Sequence, residues 1–561
     1  MPLFRSLHHA SEKKRDLSDL ITTQQEEHEE KSEKFKANSR KYNSQFTKQK
    51  FTNSEGKYNF SSSAHVVFPF MMKNSWTEIA NILKESEISS SAEFAAIVRK
   101  IQKISYQSHD KKQVESVLVQ DINLLSMLLD EKSSAKWEGR PKFFTETLPF
   151  IIELVLKSES ILGSYAGDLY EHECQRQSTI VLNEGLLPIL EELNKSSINN
   201  ESRAVKLTKL ECACILANSF FCTFSRLGDV KEGTLKITSI NMDTLFINPY
   251  IASSSKLLMI IHYFERLCER GIEEIKRFGY VTFIRKKVEP YQVICQIQQS
   301  TVEISNNQVI VLPEGSIEDC ENAIHSDFAN KYIGGGVLRG GAVQEEIRFA
   351  LSPECIISRL IVEKLSNNES LLICGTEQFS SHQGYAKSLL YKGDFIDGNY
   401  EKESEHLFCF KSQIVAFDSK YYYTNEKLKQ WKIDCIDREI IKAYSAFCSI
   451  RKNYGLNFYS NISTGNWGGG AFNSDHELKF IIQLIVTCHC EKPMYYYTFK
   501  NTELARKFKD FLEFCEKHNV TVQKIYNLLE NMYSEYIEPN SHEETFSPHT
   551  LEYLMGKLTS K

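Results

Sequence analysis

Two adjacent carboxylates, Glu345 and Glu346, follow Gln344, and seven residues separate this Gln-Glu-Glu run from the glycine triplet Gly334-Gly335-Gly336. Alone, such a pair is a solvated charge feature, because neighbouring residues on a helix or strand point in different directions. Beside consecutive glycines the chemistry changes. Glycines accept positive φ and let backbone approach closely, so their N–H groups can line one concavity and bind phosphate or ribose oxygens without a basic side chain. One carboxylate can then face a bound sugar as general acid and base while the other holds a hydroxyl. Asn330, in Asp327-Phe328-Ala329-Asn330 just upstream, offers both donor and acceptor and suits a ribose hydroxyl pair. A second loop, Thr464-Gly465-Asn466-Trp467-Gly468-Gly469-Gly470-Ala471-Phe472-Asn473-Ser474-Asp475, precedes apolar residues at helical spacing, Leu478, Ile481, Ile482 and Ile485. Asn473 or Ser474 is expected to cap that helix, which puts the loop at an anion-attracting N-terminus. Neither loop fits the G-x-x-x-x-G-K-[ST] or the G-x-G-x-x-G fingerprint. Together they predict a diphosphate held mainly by main chain.

These loops need a frame. Short β-type runs, Val309 to Leu312, Leu371 to Cys374, Ile414 to Phe417 and Tyr495 to Phe499, read as strands buried on both faces, and Pro353 to Leu365 and Leu478 to Cys488 read as helices between them. The fold class is therefore α/β, a sheet sandwiched between helices, with its chemistry at the loops. Upstream, from about Ser75 to Arg226, the periodicity is helical: Ile79, Ile82 and Leu83; Phe94, Ile97 and Ile101; Leu118, Ile122, Leu125 and Leu128; Leu148, Ile152 and Val155. None of these stripes carries a chemical constellation, so the block reads as a packing layer. The polar, Lys- and Glu-rich start has too few aliphatics to offset its ordering entropy. The chain thus divides into a flexible polar tail at 1–70, an all-helical accessory domain at 71–228, an α/β domain at 229–540 and a C-terminal tail at 541–561.

Composition narrows the classes. With 67 basic and 73 acidic residues among 561, the net charge is −6, which argues against a basic stripe that coats a nucleic acid. Fifteen scattered cysteines are no disulfide framework and favour a reducing compartment. No apolar run approaches the ~20 residues that span a bilayer. Cys488-His489-Cys490 lacks a second cluster at ligand spacing and is not read as a metal site.

The ordered set Asp327-Phe328-Ala329-Asn330, Gly334-Gly335-Gly336, Gln344-Glu345-Glu346, Gly375-Thr376-Glu377-Gln378, Gly384-Tyr385-Ala386 and Gly465-Asn466-Trp467-Gly468 resembles the large, eukaryotic type of poly(ADP-ribose) glycohydrolase. The resemblance runs from about 75 to 535. It implies a macrodomain-like mixed sheet beside a helical accessory domain, and hydrolysis of the ribose–ribose bonds of poly(ADP-ribose), mainly from the free end, with release of ADP-ribose. It further implies Glu346 as the catalytic acid/base, with Glu345 and Asp327 as acidic residues needed for activity. Asn330 and Gln344 match ribose contacts beside Gly334, Gly335 and Gly336; Ile317, Glu318, Tyr385 and Phe499 match the adenine pocket; Asn466, Gly469, Gly470, Ala471 and Phe472 match the diphosphate loop. Phe379, Gly469 and Ser326 depart from the family's usual Tyr, Cys and aliphatic residue. No metal or cofactor is implied. The expected partner is the polymer on modified proteins, with no direct DNA binding and no membrane, for a monomer in the nucleus or cytoplasm that serves the DNA damage response. The alternative is a macrodomain that reads ADP-ribose without cleaving it.

Overall fold

Ten strands form one mixed sheet whose parallel half ends at the two glycine loops. The computed structural model describes residues 65–71, 73–106, 142–162, 168–173, 176–181, 186–188, 201–224, 239–248, 250–404, 407–450, 456–541 and 546–559, all in one structural unit. The strands are β1 (Asp168–Glu173), β2 (Arg176–Val181), β3 (Glu201–Thr208), β4 (Tyr280–Lys287), β5 (Val309–Leu312), β6 (Ala323–Asp327), β7 (Glu369–Cys374), β8 (Gln413–Ala416), β9 (Asn461–Gly465) and β10 (Met494–Tyr497). Their order across the sheet is β2-β1-β3-β4-β7-β8-β6-β9-β10-β5. From β2 to β8 all neighbours are antiparallel, and from β8 to β5 all are parallel.

Alternation along the central strands buries both faces. Leu371, Ile373, Ile414 and Ala416 enter a core with the helices α1 (Lys73–Glu85), α2 (Ser91–Ser105), α3 (Leu148–Leu156), α4 (Lys209–Phe220) and α5 (Ile251–Ile275). Leu372, Cys374, Val415 and Phe417 point the other way, with α6 (Pro290–Gln298), α8 (Ile433–Phe447), α9 (His476–His489), α10 (Thr502–Lys517), α11 (Val522–Met532) and α12 (Thr550–Thr559). A further helix, α7 (Gln344–Leu351), follows the first glycine loop. The period of two is what a strand covered on both faces requires. Thr208 and Glu211 close α4 with a reciprocal capping box, which lets a helix buried on all sides begin without orphan N–H groups.

The frame departs from the sequence reading in four places. β1, β2 and β3 all lie inside the block read as all-helical; in β3 the run Ala204, Val205, Leu207 is too short for its period to decide, and pairing with β4, from Glu201↔Lys287 to Thr208↔Tyr280, selects the extended form. β5 is an edge strand, so Ile310 is exposed rather than buried. Where a helix over Pro353 to Leu365 was expected, a 3-10 turn at Pro353–Ile357 leads into a single α-turn at Ser358–Ile361. Residues 550–559, assigned to a tail, form α12, whose Leu551 and Leu554 are buried. The stripe Leu118 to Leu128 and the polar start up to residue 64 lie outside the described residues.

Parallel strands put their C-terminal ends on one edge. That edge carries Asp327, Ala416, Gly465, Tyr497 and Leu312, with Ala416 in register with Asp327 and Gly465 with Tyr497. Loops leaving it are the expected place for a ligand in an open α/β sheet.

Candidate active site

The first glycine loop leaves β6 at Asp327 and returns into α7, and the three residues that open this helix turn back on the loop. Gln344 Oε1 accepts the Phe328 N–H at 2.8 Å while its Nε2 donates to Ser326 O at 3.1 Å. Glu345 accepts the N–H groups of Asn330 at 2.8 Å and Gly334 at 2.6 Å. Glu346 accepts those of Gly336 at 2.8 Å and Val343 at 2.9 Å. Successive helix residues diverge by about 100°, so the two carboxylates meet because the loop wraps the helix terminus, with each reaching a different stretch of it. A Cβ on Gly335, where φ is +44°, would lie 2.6 Å from Glu346 Oε1 and 2.8 Å from Glu345 Oε2. The two acids therefore bracket one residue that has to be glycine.

Asp327 is buried at the end of β6, and neither of its carboxylate oxygens has a hydrogen-bond donor among the described residues. Burial, and next the Glu346 charge, push its pKa well above the ordinary carboxylate value, against the pull of Arg348. Glu345 is raised in the same way by burial and then by Asp327 and Glu346, against its two N–H bonds. A carboxyl raised in the native state stays protonated where the unfolded chain ionises. Stability then falls as pH rises from about 4 towards the native pKa. Asp327→Asn removes that penalty, so it is expected to raise the melting temperature more at pH 8 than at pH 4. Each tenfold difference in proton affinity between the folded and unfolded chain is worth about 1.4 kcal/mol. Thermal melts at the two pH values check this; equal gains would contradict it.

Two buried cations collect the loop's carbonyls. Lys256, on α5, donates to Gly336 O at 3.1 Å, Arg339 O at 2.7 Å and Gly341 O. Arg359 donates to Gly335 O at 2.8 Å and to Ser239 O at 3.2 Å. The C=O and N–H of one planar peptide point in opposite directions, so the Gly335–Gly336 unit is stretched between Arg359 at its oxygen and Glu346 at its N–H. Burial lowers Lys256 to about 7, against the pull of Glu346. Neither cation was found from sequence; the one available signal was a lysine opening the apolar run Leu257-Leu258-Met259. Lys256→Met leaves three carbonyls without their donor, and a cost of about 3 kcal/mol or more is expected. Denaturant unfolding would read it, together with a loss of turnover as the loop relaxes.

The second loop is anchored from beneath. Trp467 is buried with Lys479 Nζ 3.7 Å from its ring centroid, and Lys479 donates to Ser419 Oγ at 2.8 Å and pairs with Glu439. Arg438 joins Glu439 to Asp418, and Lys442 pairs with Asp418 at 2.7 Å. Burial and the neighbouring Arg438 drive Lys479 well below the usual lysine pKa. Desolvated charges of this kind cost about as much as they return, so their yield here is the placement of the loop. The helix cap differs from the expectation: Asp475 Oδ1 accepts the Leu478 N–H at 2.8 Å, whereas Asn473 takes φ +57° and Ser474 bonds Ser419 Oγ at 3.1 Å. An N-cap needs extended backbone, which Asn473 lacks. Any side chain at Gly469 would collide with the His476 ring, so here a glycine goes with that histidine.

The remaining expected residues fall into two groups. Ile317 is buried, with its carbonyl accepting Ser463 Oγ at 2.7 Å, and the half-buried Glu318 follows it. Phe499, with φ +51°, lies in the loop beyond β10 rather than in the strand, its ring against Gly465. These three stand past the ends of β5 and β10, and Asn466, which follows Gly465, accepts the Tyr496 hydroxyl on its Oδ1 at 3.1 Å. Tyr385 has its hydroxyl at the Gln344 main chain at the start of α7, within reach of the Glu346 charge, and burial raises its pKa. Gly470 and Ala471 are exposed at the tip of the second loop and Phe472 is half-buried. Glu377, from the Gly-Thr-Glu-Gln motif, pairs with Arg270, and its N–H donates to the buried Glu354 at 3.0 Å. His489 bonds Ser300 Oγ at 3.0 Å, and among the described residues no three metal-type side chains come together.

Residues 294–506 match the family described as poly(ADP-ribose) glycohydrolase, macro domain fold, and residues 135–285 match its helical domain. Poly(ADP-ribose) glycohydrolase 1 of Arabidopsis thaliana is 30% identical over 475 residues, which cover 72% of this chain and 80% of the relative. The chain belongs to the poly(ADP-ribose) glycohydrolase family. Poly(ADP-ribose) glycohydrolase 2 of Caenorhabditis elegans is 27% identical over 354 residues, 59% of this chain and 70% of the relative. Poly(ADP-ribose) glycohydrolase 1 of the same worm is 34% identical over 239 residues, 40% of this chain and 29% of the relative. The first match ends inside β4 and the second begins inside α6, so β1, β2, β3 and most of β4, which extend the sheet, fall within the region matched as helical.

Proposed function

We infer that this chain hydrolyses the ribose–ribose O-glycosidic bonds of poly(ADP-ribose). The observation that carries the reading is the pair Glu345 and Glu346, bracketing Gly335 on the ligand edge of the sheet; the N–H groups of Gly334, Gly335 and Gly336, expected from sequence to meet ligand oxygens, are instead spent on Glu345, Tyr332 O and Glu346. Cleaving a ribosidic bond needs a proton for the departing oxygen and an activated water for the oxocarbenium-like ribose. Each oxygen of Glu346 accepts one N–H and keeps a second lone pair. Glu346 gives its proton to the leaving 2′-oxygen and then, as carboxylate, takes one from the attacking water. Glu345 holds the leaving ribose, Asp327 sets the charge of the acid cluster, and Asn330 and Gln344 orient the terminal sugar. The amides of Gly470 to Phe472 take the diphosphate on a turn closed by the Gly469 N–H donating to Asn466 O at 3.0 Å, and Ile317, Glu318, Tyr385 and Phe499 take the adenine. Grip on one terminal unit through main chain accounts for a net charge of −6 in a protein that acts on a polyanion.

The reading as a binder without catalysis is disfavoured, since ADP-ribose binding alone has no need of two acids against the glycine loop. End-labelled polymer incubated with the chain and resolved by length tests the proposal. Accumulation of ADP-ribose is expected; intact polymer would reject hydrolysis, and shortened oligomers without monomer would replace terminal with internal cutting. Every described cysteine is a free thiol, which supports action in the nucleus or cytoplasm. Among the described residues no helix is long and apolar enough to cross a membrane.

A further inference from the structure

The loop after β8 carries three consecutive tyrosines, and only the middle side chain is buried. Tyr422 is buried; its N–H donates to Phe472 O at 3.1 Å, and its carbonyl accepts Asn473 Nδ2 at 3.0 Å. Its neighbours consequently face outward, with Tyr421 47% and Tyr423 63% exposed, enough free ring on each to take a planar group. The two rings stand 5.0 Å apart at 81°, and the Phe472 ring is 6.1 Å from Tyr421. Phe472 ends the second glycine loop, so this aromatic rim ties the loop after β8 to the loop after β9. Those two strands flank β6, which ends in Asp327. The exposed Lys427 lies within electrostatic reach of Asp475, at the base of the same loop.

Rings set at a corner are suited to a nucleotide base, which lies flat on one ring with its edge to the other. A polymer of ADP-ribose presents a second adenine and a second diphosphate one repeat away from the unit in the main cleft. We propose that Tyr421, Tyr423 and Phe472 form a second nucleotide subsite that stacks the adenine of the neighbouring ADP-ribose unit. The proposal rests on the reading of this cleft as a poly(ADP-ribose) site. It makes the protein favour polymer over free ADP-ribose without any basic stripe.

The test uses the full chain carrying Glu346→Gln, so that oligomer stays uncut, with and without Tyr421→Ala and Tyr423→Ala together. Labelled oligo(ADP-ribose) of two or more units is titrated by anisotropy and ADP-ribose by calorimetry. Loss of base stacking is expected to weaken oligomer binding about fivefold or more, with ADP-ribose affinity unchanged and recovery on placing Phe at both positions. Unchanged oligomer affinity, or equal weakening of both ligands, would overturn the subsite. Hydrolysis of polymer by the unsubstituted chain is followed alongside. If polymer stays intact while the tyrosine pair still separates oligomer from ADP-ribose, the hydrolase reading fails and the subsite stands.

Discussion

Glu346→Gln is expected to lower polymer turnover about a thousandfold while leaving ADP-ribose affinity within a few-fold of the parent's. The size follows from the loss of a positioned general acid and base, a role worth about a hundred- to ten-thousandfold. The side chain stays the same shape, yet the exchange is not silent for the structure. Both carboxylate oxygens of Glu346 accept main-chain N–H groups, from Gly336 and Val343. An amide can accept only one of these, and its NH2 must face the other donor, at a cost of about 1–3 kcal/mol. Melting temperature should therefore fall modestly along with activity. Product analysis of digested polymer, beside calorimetry with ADP-ribose, separates the two effects. A variant that degrades polymer at nearly the parental rate would remove Glu346 from the chemistry, and a joint loss of ADP-ribose binding would assign the defect to the loop.

Gly335→Ala is expected to be as damaging, for a reason that lies in shape rather than in protons. The added methyl would need to sit 2.6 Å from Glu346 Oε1 and 2.8 Å from Glu345 Oε2, on backbone at φ +44°. Ordinary van der Waals contact is about 3.5 to 4 Å, so both carboxylates must move and leave the N–H groups of Gly334, Gly336 and Asn330 unpaired. A thousandfold loss of turnover is expected, on the scale of removing the acid itself, with a stability cost of about 2 kcal/mol or more from the disrupted buried bonds. Gly470→Ala is the contrast: nothing lies within 4 Å of its Cβ position. Its melting temperature should match the parent's, and any fall in ADP-ribose affinity would report ligand contact at the tip of the second loop. Parental activity in Gly335→Ala would show that the two acids need not be held as the structure holds them.

Much of the frame was legible because its signals are local. β5, β7, β8 and α9 were marked by short apolar runs with the right periods, and the two glycine loops by composition alone. β3 was not legible, since its extended form is chosen by a distant partner strand, with Glu201 facing Lys287 and Thr208 facing Tyr280. The cap of α9 moved from Asn473 or Ser474 to Asp475 because the loop's anchoring to Tyr422 and Ser419 sets the backbone angles first.

By itself the sequence determined which groups could do the chemistry: glycines whose amides can cradle a diphosphate and a sugar, and a glutamate pair for proton transfer. Those capacities belong to residue types and to short spacings. Tertiary structure decided how the groups face one another. Glu345 and Glu346 diverge along α7 and meet only through the loop folded over it, and that loop is held open by Lys256, eighty residues from its partner Gly336, and by Arg359. The second loop rests on a buried network from Asp418, Arg438, Glu439, Lys442 and Lys479 that no local pattern announces. The physical reason is desolvation: a buried charge is tolerated only where a partner from elsewhere in the chain meets it, and that pairing exists only once the sheet and its helices have assembled.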